Sequence, residues 1–419
     1  MASIAGPMAA TQRRRAPRIL VPVALAALVL GGVASEASGD HGGRPIGALF
    51  GCDRPVTPPR CTSVGDNPRH LVHFDESLTE ELAASLRATM AEDYGATKLI
   101  LVEQAELTRM TDVIAFSRDY GDNGAAGWVY CPTDAPQGIN PNGARWCRHQ
   151  ELHLNINSRF GAFFADAASR DHITCHELGH TLGLRHWGNP PQTSGPDVGA
   201  TCMNANTPDG PTTLHQFDID HINGYAYRQG PPRRHVPIEA PDHAPRTRLL
   251  PWTGSLHSTQ VDDPGSLREL TRSSDAVVRG EIIAVAPGRV FGDPDGDALH
   301  YAAATLRVDQ LVAGSLPDAH HAELTLEIPL FDGPGSISSL PAWGEAVFFL
   351  RNKAGSARLA GLPAQAVAGD REFYRLLIFS GLVANGEGRA HTDPDAPALA
   401  ELAGLSFEQA VEIVRRAAR

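Results

Sequence analysis

The stretch HELGHTLGLRH at residues 176–186 constrains this chain more than any other. In a helix His176 and His180 stand four positions apart, so both imidazoles project from one face and can reach a single tetrahedral ion. Glu177 lies about 100° further round the helix, beside that point rather than on it. Gly183 lets the chain leave the helix through a left-handed cap, and the turn after it swings His186 back as a third ligand. Three imidazoles with a fourth position open to water describe a catalytic zinc centre. A carboxylate placed like Glu177 takes a proton from the zinc-bound water, whose pKa the metal lowers towards neutrality, and hands it to a leaving amine. HExxH by itself also occurs by chance in helices without metal; the added glycine and third histidine make coincidence far rarer.

At 419 residues the chain is long enough for two or three domains, each with its own core. A net charge of −12 argues against a nucleic-acid partner, because phosphate binding depends on clustered positive charge. Of the 36 basic residues only Lys98 and Lys353 are lysine, which reads as coding bias rather than function. Residues 1–37 have the pattern of an export signal: Arg13, Arg14, Arg15 and Arg18 precede an apolar run from Ile19 to Val33, and small-x-small patterns close at Ala34 and Ala37. That run, broken by Pro22, is short for a membrane span. A secreted chain with no stable membrane association after cleavage is therefore expected, with an uncleaved anchor as the alternative.

The six cysteines agree with export: Cys52, Cys61, Cys131, Cys147, Cys175 and Cys202. An even count in a secreted chain suggests three disulfides. Local spacing favours Cys52 with Cys61 and Cys131 with Cys147, which leaves Cys175 with Cys202. Thiols that bind metal or stay free are the alternative.

Composition divides the rest. Residues 38–69 are rich in Gly, Pro and Arg and read as an irregular segment held by the first disulfide. Strands are expected at HLVHF (70–74), KLILVE (98–103), DVIAFSR (112–118), GWVYC (127–131) and ELHLNIN (151–157), the last with one face exposed. Helices are expected from Leu78 to Tyr94, capped by Thr79 or Ser77, from about Phe163 or Asp166 to Gly183, and from Leu214 to Tyr227. Together they make a mixed α/β (α+β) catalytic domain over 70–228. A proline-rich linker follows at 229–255. Residues 256–419 carry no cysteine and alternate at period two between turns, which suggests a β-rich accessory domain, a barrel or sandwich, closed by a helix over 405–418. DPDGD at 293–297 is similar to the start of a calcium loop, but alanine at 304, where a bidentate glutamate belongs, makes it a plain turn.

With HELGHTLGLRH, the methionine of TCMN at 201–204 and the helix LHQFDIDHINGYAY at 214–227, residues 70–228 resemble the metzincin zinc proteases, and within them the matrixin type. The resemblance implies zinc on His176, His180 and His186, Glu177 as general base, and Met203 as the hydrophobic floor of a Met-turn beneath the metal. It implies that ELHLNIN is the edge strand on which an extended substrate adds, bringing His153, Leu154 and Asn155 to the peptide. PPRC at 58–61 is similar in part to the family's cysteine switch, without its glycine; a structural disulfide is the simpler reading of Cys61. No histidines for a second, structural zinc stand around 121–131; Asp119, Asp122 and Asn123 could hold calcium through oxygen ligands, but a solvated turn is the simpler reading. The segment from SSDAVVRGEIIAV to GEAVFFLRN resembles netrin-like, OB-type domains, without their cysteines.

The expected function is that of a secreted zinc endopeptidase acting on protein or peptide substrates. A secreted binding or adhesion protein with a vestigial zinc site is one alternative, and a zinc hydrolase of non-peptide substrates is another. Side-chain preference would depend on a wall at about 204–214, whose residues suggest only a polar, flexible surface.

Overall fold

Period-two alternation in the first half of the chain produces strands that stack helices on one face and a second sheet on the other. The computed structural model describes residues 65, 67–132, 135–139, 145–184, 201–203, 208, 210–223, 257–260, 262, 264–293, 297–331, 333–340, 344–355, 367–393 and 396–419. The expected export signal, linker, Cys52, Cys61 and His186 lie outside these residues. In chain order come β1 (Arg69–Phe74), α1 (Glu80–Glu92), β2 (Ile100–Gln104), β3 (Val113–Arg118), β4 (Ala125–Tyr130), β5 (Gln137–Ile139), β6 (Arg145–Cys147), β7 (Gln150–Asn155), α2 (Ala167–Thr181) and α3 (Gln216–His221). Then follow β8 (His257–Gln260), α4 (Leu267–Ser273), β9 (Ala276–Phe291), β10 (Leu299–Gly314), β11 (Glu323–Leu330), β12 (Glu345–Asn352), β13 (Phe373–Leu376), β14 (Leu382–Gly386), β15 (Arg389–Thr392) and α5 (Phe407–Ala417). Residues 40–419 belong to one compact unit.

The first sheet has the order β2-β1-β3-β7-β4-β8. Its first four strands run parallel, and β4 and β8 are antiparallel to their neighbours. α1 starts where Thr79 accepts a hydrogen bond from the Leu82 N–H, and α2 where Asp166 accepts one from the Ser169 N–H. Leu82, Leu86 and Met90 of α1 and Ile173 and Leu178 of α2 join Val72, Val113, Leu152 and Leu154 of the sheet in one buried core. This is burial of the stripes that helical and strand periodicity lay down. Two pieces carried no clear sequence pattern: the short β5–β6 pair, closed by the Cys131–Cys147 disulfide, and β8, which belongs to the C-terminal half by sequence yet completes the first sheet.

The second sheet runs β13-β11-β10-β9-β12-β14-β15, and β13 also pairs with β12. The pairings β9–β10–β11–β13–β12–β9 therefore return to their start, with β11 and β13 parallel. α5 opens with a capping box between Ser406 and Gln409. Its Phe407, Ala410, Val411 and Val414 bury against Leu270, Val347 and Phe349.

The strand Gln150–Asn155, which the family resemblance makes an edge, lies inside the sheet. β3 occupies one of its sides and β4 the other, so neither is left to receive a peptide. The exposed face expected for ELHLNIN is covered as well. Trp128, Ala125 and Tyr120 on that side pack with Tyr301, Leu326 and Phe331 of the second sheet in a common core, and Tyr301 donates a hydrogen bond to the Tyr120 carbonyl at 2.9 Å.

Buried ion pairs run through the same junction. Arg159 and Arg289 share Asp370. Arg289 also binds both carboxylate oxygens of Glu327, whose other neighbour, at 2.7 Å, is the fully buried ammonium of Lys353. Burial lowers the pKa of Lys353 against the pull of Glu327, but the grip of Arg289 keeps the carboxylate ionised. Burial pushes the Glu327 carboxyl up, yet hydrogen bonding from Arg289 and the Lys353 charge outweigh this and hold it below its ordinary range. Glu327→Gln removes the countercharge of a buried ammonium, and the expected loss of stability in urea unfolding at neutral pH is about 3 kcal/mol. A carboxyl with a lowered folded pKa contributes fully above the ordinary carboxylate range and loses its contribution as pH falls through the lowered value, so the gap between wild type and variant should close on acidification.

Candidate active site

α2 ends as its sequence suggests. Gly183 has φ +80°, the Gly183 N–H donates to the His180 carbonyl at 2.9 Å and the Leu184 N–H to the Gly179 carbonyl at 3.0 Å. This is the Schellman arrangement, with glycine at the left-handed position. The turn has a second consequence: the Leu184 carbonyl now faces back and accepts a hydrogen bond from His180 Nδ1 at 2.8 Å.

His176 is held in the same way, because its Nδ1 donates to the Cys202 carbonyl at 2.7 Å. That carbonyl is fixed in turn. The Cys175–Cys202 disulfide ties it to the residue preceding His176, and the Cys202 N–H donates to the Thr213 carbonyl at 2.8 Å. Asp218 of α3 accepts a hydrogen bond from the Thr201 hydroxyl at 2.6 Å, anchoring the segment 201–203 from below. A carbonyl can only accept, so both rings carry a proton on Nδ1, and in the neutral imidazole Nε2 is then the nitrogen with the lone pair. The two Nε2 atoms lie 2.9 Å apart. Between neutral rings two acceptors at that separation repel unless a cation lies between or beside them, and imidazole nitrogens with their outer N–H groups pinned to carbonyls are the donor set that zinc takes. His176 and His180 therefore fit the metal. Among the described residues no group of three or more His, Cys, Asp or Glu side chains converges on one point; the third histidine of the motif, His186, is not among them.

Glu177 lies on the same helix, wholly buried. Its carboxylate packs against β4 at Gly127, where an added Cβ would stand 2.6 Å from Oε1. Gly127 thus permits a close approach that any other residue would block, a recognised use of glycine within a strand. GWVYC contains this signal, although its pattern alone predicts only a strand. A similar allowance occurs at Gly179, where an added Cβ would stand 2.3 Å from Met203 Sδ. Met203 is fully buried there, with its sulfur against α2 at Gly179. His172, one turn ahead of His176, is buried too; its Nδ1 donates to the Pro211 carbonyl at 2.6 Å, and burial lowers its pKa despite that bond.

His153, Leu154 and Asn155 do not join the site. His153 faces away from α2 and stacks between Trp128 and Phe116, with ring centroids 4.9 and 5.0 Å away. Its Nδ1 lies 2.9 Å from the Tyr120 hydroxyl, which reaches Asp297 of the second half. Leu154 belongs to the helix-side core. Asn155 spends its amide on Gly121, Asn123 and Ala125. All three are buried, so none is available to a substrate.

The loop at 119–123 is corrected too: Asp122 and Asn123 are buried, so it is not a solvated turn, and its oxygens do not suit calcium either. Asp119 accepts hydrogen bonds from the Gly121 N–H and the Asn157 amide. Asp122 is paired with Arg375 at 2.9 Å, and Asn123 Oδ1 caps the Ala125 N–H at 2.9 Å. Protein donors and a guanidinium hold the oxygens a calcium ion would need. Asp293 and Asp297 of DPDGD both pair with Arg118.

No family model matches the sequence. Comparison with curated proteins likewise finds no match. Among solved structures the chain is similar to high choriolytic enzyme 1, a hatching enzyme zinc-protease from Oryzias latipes (medaka fish), with 16% identity and a TM-score of 0.23 over 38% of this chain and 91% of that one. It is similar also to myroilysin, with 11% identity and a TM-score of 0.26 over 41% of this chain and 91% of that one. A second myroilysin structure gives 12% and 0.24 over 40% and 83%. Likeness at this level decides neither family nor activity.

The disulfide and the Cys202 carbonyl act together on His176. Replacing both Cys175 and Cys202 with Ala is expected to weaken zinc binding about ten- to a hundredfold, as loss of an outer partner of a metal-ligating histidine does. Competition against a fluorescent chelator measures it, and unchanged affinity would mean that the carbonyl does not hold the ring.

Proposed function

We propose that this chain is a secreted zinc endopeptidase of the metzincin type. One observation carries the reading: two imidazoles aim their Nε2 lone pairs at one point, each with its Nδ1–H spent on a carbonyl, and a glutamate stands next to them on the same helix. His176 and His180, with His186 proposed as third ligand, would hold the ion. Zinc, when bound, supplies a Lewis-acid charge that acidifies a water molecule and polarises a peptide carbonyl.

The remaining work falls to the chain's own groups. Glu177 accepts a proton from the attacking water at its carboxylate and returns it to the leaving nitrogen. The backing of Gly127 holds that carboxylate in place, so positioning is built in before substrate arrives. Burial of the whole helix face keeps bulk water away from the proton path. Met203, packed against α2 at Gly179, would give the histidines an apolar floor without a polar group that competes for them.

Export is supported by the Cys131–Cys147 and Cys175–Cys202 disulfides. Among the described residues no helix is long and apolar enough to cross a membrane. The closed circuit of β9 to β13, with its one parallel pair, supports reading the C-terminal half as a small barrel of the OB type. The helix pattern LHQFDIDHI, with Asp218 bonded to Thr201 below Met203, supports placing the chain near the matrixins.

Digestion of a mixed peptide library with and without a chelator tests the proposal. Cleavage should be abolished by the chelator and restored by zinc. Glu177→Ala should retain zinc and lose about three orders of magnitude in rate; turnover like the wild type would remove the assigned role. Gly127→Ala forces the carboxylate to move, and because a displacement of about 1 Å can cost a hundredfold, its kcat should fall by at least about tenfold while zinc content stays unchanged.

A further inference from the structure

We infer that β8 is an internal strand lying on the substrate-binding edge of β4, and that it must peel away before a peptide can enter. This inference rests on the peptidase reading and adds a regulatory step to the same site.

An extended peptide gains main-chain hydrogen bonds by adding to a strand edge close to the reacting groups. In the first sheet, the backbone of β4 approaches Glu177 closely at Gly127. One side of β4 is taken by β7. Its other side carries β8, antiparallel, with Val129 opposite His257, Trp128 opposite Ser258, Gly127 opposite Thr259 and Ala125 opposite Gln260. The backbone at Thr259 therefore lies across from the residue that supports the candidate base. A peptide using that edge and β8 exclude one another, because each N–H and C=O along β4 can serve only one neighbouring strand on that side.

The strand is built to be displaced rather than permanent. It has four residues, it is the last strand of the sheet, and its pairing is interrupted by a register shift between Ala125 and Gly127. Short edge pairings of this kind open at low cost. Its far end, by contrast, is tethered to the second sheet. Gln260 Oε1 accepts a hydrogen bond from the Phe379 N–H at 3.0 Å. Asp262 accepts from Arg375 at 2.8 Å and Arg351 at 3.1 Å. The tether makes re-pairing intramolecular, with an effective concentration that a free peptide must exceed. Apparent affinity for substrate then falls by the fraction of molecules in which β8 is displaced. The penalty should appear in KM, not in the bond-breaking step.

The test is kinetic and uses the full chain, on one peptide selected from those the wild type cleaves in a chelator-sensitive way. Successive strand N–H groups point to opposite sides, so proline at both Ser258 and Thr259 removes whichever faces β4. The variant S258P/T259P is expected to lower KM by about tenfold or more with little change in kcat. An unchanged or raised KM in a variant that still unfolds cooperatively overturns the inference. Hydrogen exchange of the wild type with a saturating peptide hydroxamate decides the matter even if that variant fails to fold. Amides 258–260 should lose protection while those of 127–129 keep it. Protection persisting at 258–260 with the hydroxamate bound would show that β8 is a fixed strand and leave the peptidase reading standing. A wild type that neither cleaves peptides nor binds the hydroxamate would remove that reading and the inference with it.

Discussion

Two hydrogen bonds from imidazole to backbone carry the functional architecture. With His176 Nδ1 bound to the Cys202 carbonyl and His180 Nδ1 bound to the Leu184 carbonyl, each neutral ring has its lone pair on Nε2, and the helix brings these two nitrogens to 2.9 Å from each other. That arrangement is unfavourable without a cation and favourable with one. Much of the surrounding structure secures these two carbonyls. The left-handed turn at Gly183 presents one of them; the Cys175–Cys202 disulfide, the Thr213 carbonyl and the Asp218–Thr201 bond present the other. Site and fold are linked here at the level of single backbone groups.

The two halves are more closely joined than a catalytic domain with an appended module. Trp128 and Tyr120 on one side and Tyr301 and Phe331 on the other share a core, and Arg159, Asp370, Arg289, Glu327 and Lys353 form a chain of charges through the same junction. Buried ion pairs of this kind add little net stability, but breaking one leaves an uncompensated charge. They therefore favour one relative packing of the sheets. β8 reaches across from the C-terminal half to complete the first sheet beside Glu177, so the second half borders the candidate active site.

Local physics made part of this legible in the sequence. The spacing of His176 and His180, a start near Phe163 or Asp166 and the exit at Gly183 depend on residues within one or two helical turns, and the helix forms from Ala167, capped by Asp166, to Thr181. Pairing Cys175 with Cys202 followed from the other two spacings and matches the bond observed. Strand positions followed from alternation, but their order in the sheet did not. ELHLNIN has the same period whether its second face meets water or another sheet. Alternation alone puts His153 on a solvent or substrate side; Trp128, Phe116 and the Tyr120–Asp297 pair, the last from far along the chain, make it a buried residue. The loop at 119–123 reads as a solvated turn for a similar reason, since Arg375, the partner of the buried Asp122, lies 253 positions further along. β8 is too short and polar to announce itself. Gly127 did carry a signal, a glycine inside a strand, whose meaning depends on the carboxylate that comes to rest against it.

The central claim is that these imidazoles converge on zinc, and the X-ray absorption spectrum of the zinc-loaded protein tests it most directly. The account predicts a four-coordinate shell of light atoms at about 2.0–2.1 Å with the multiple-scattering signature of imidazole rings, diminished in His176→Ala. A shell of water-like oxygens without that signature, or one unaltered by the substitution, would contradict it.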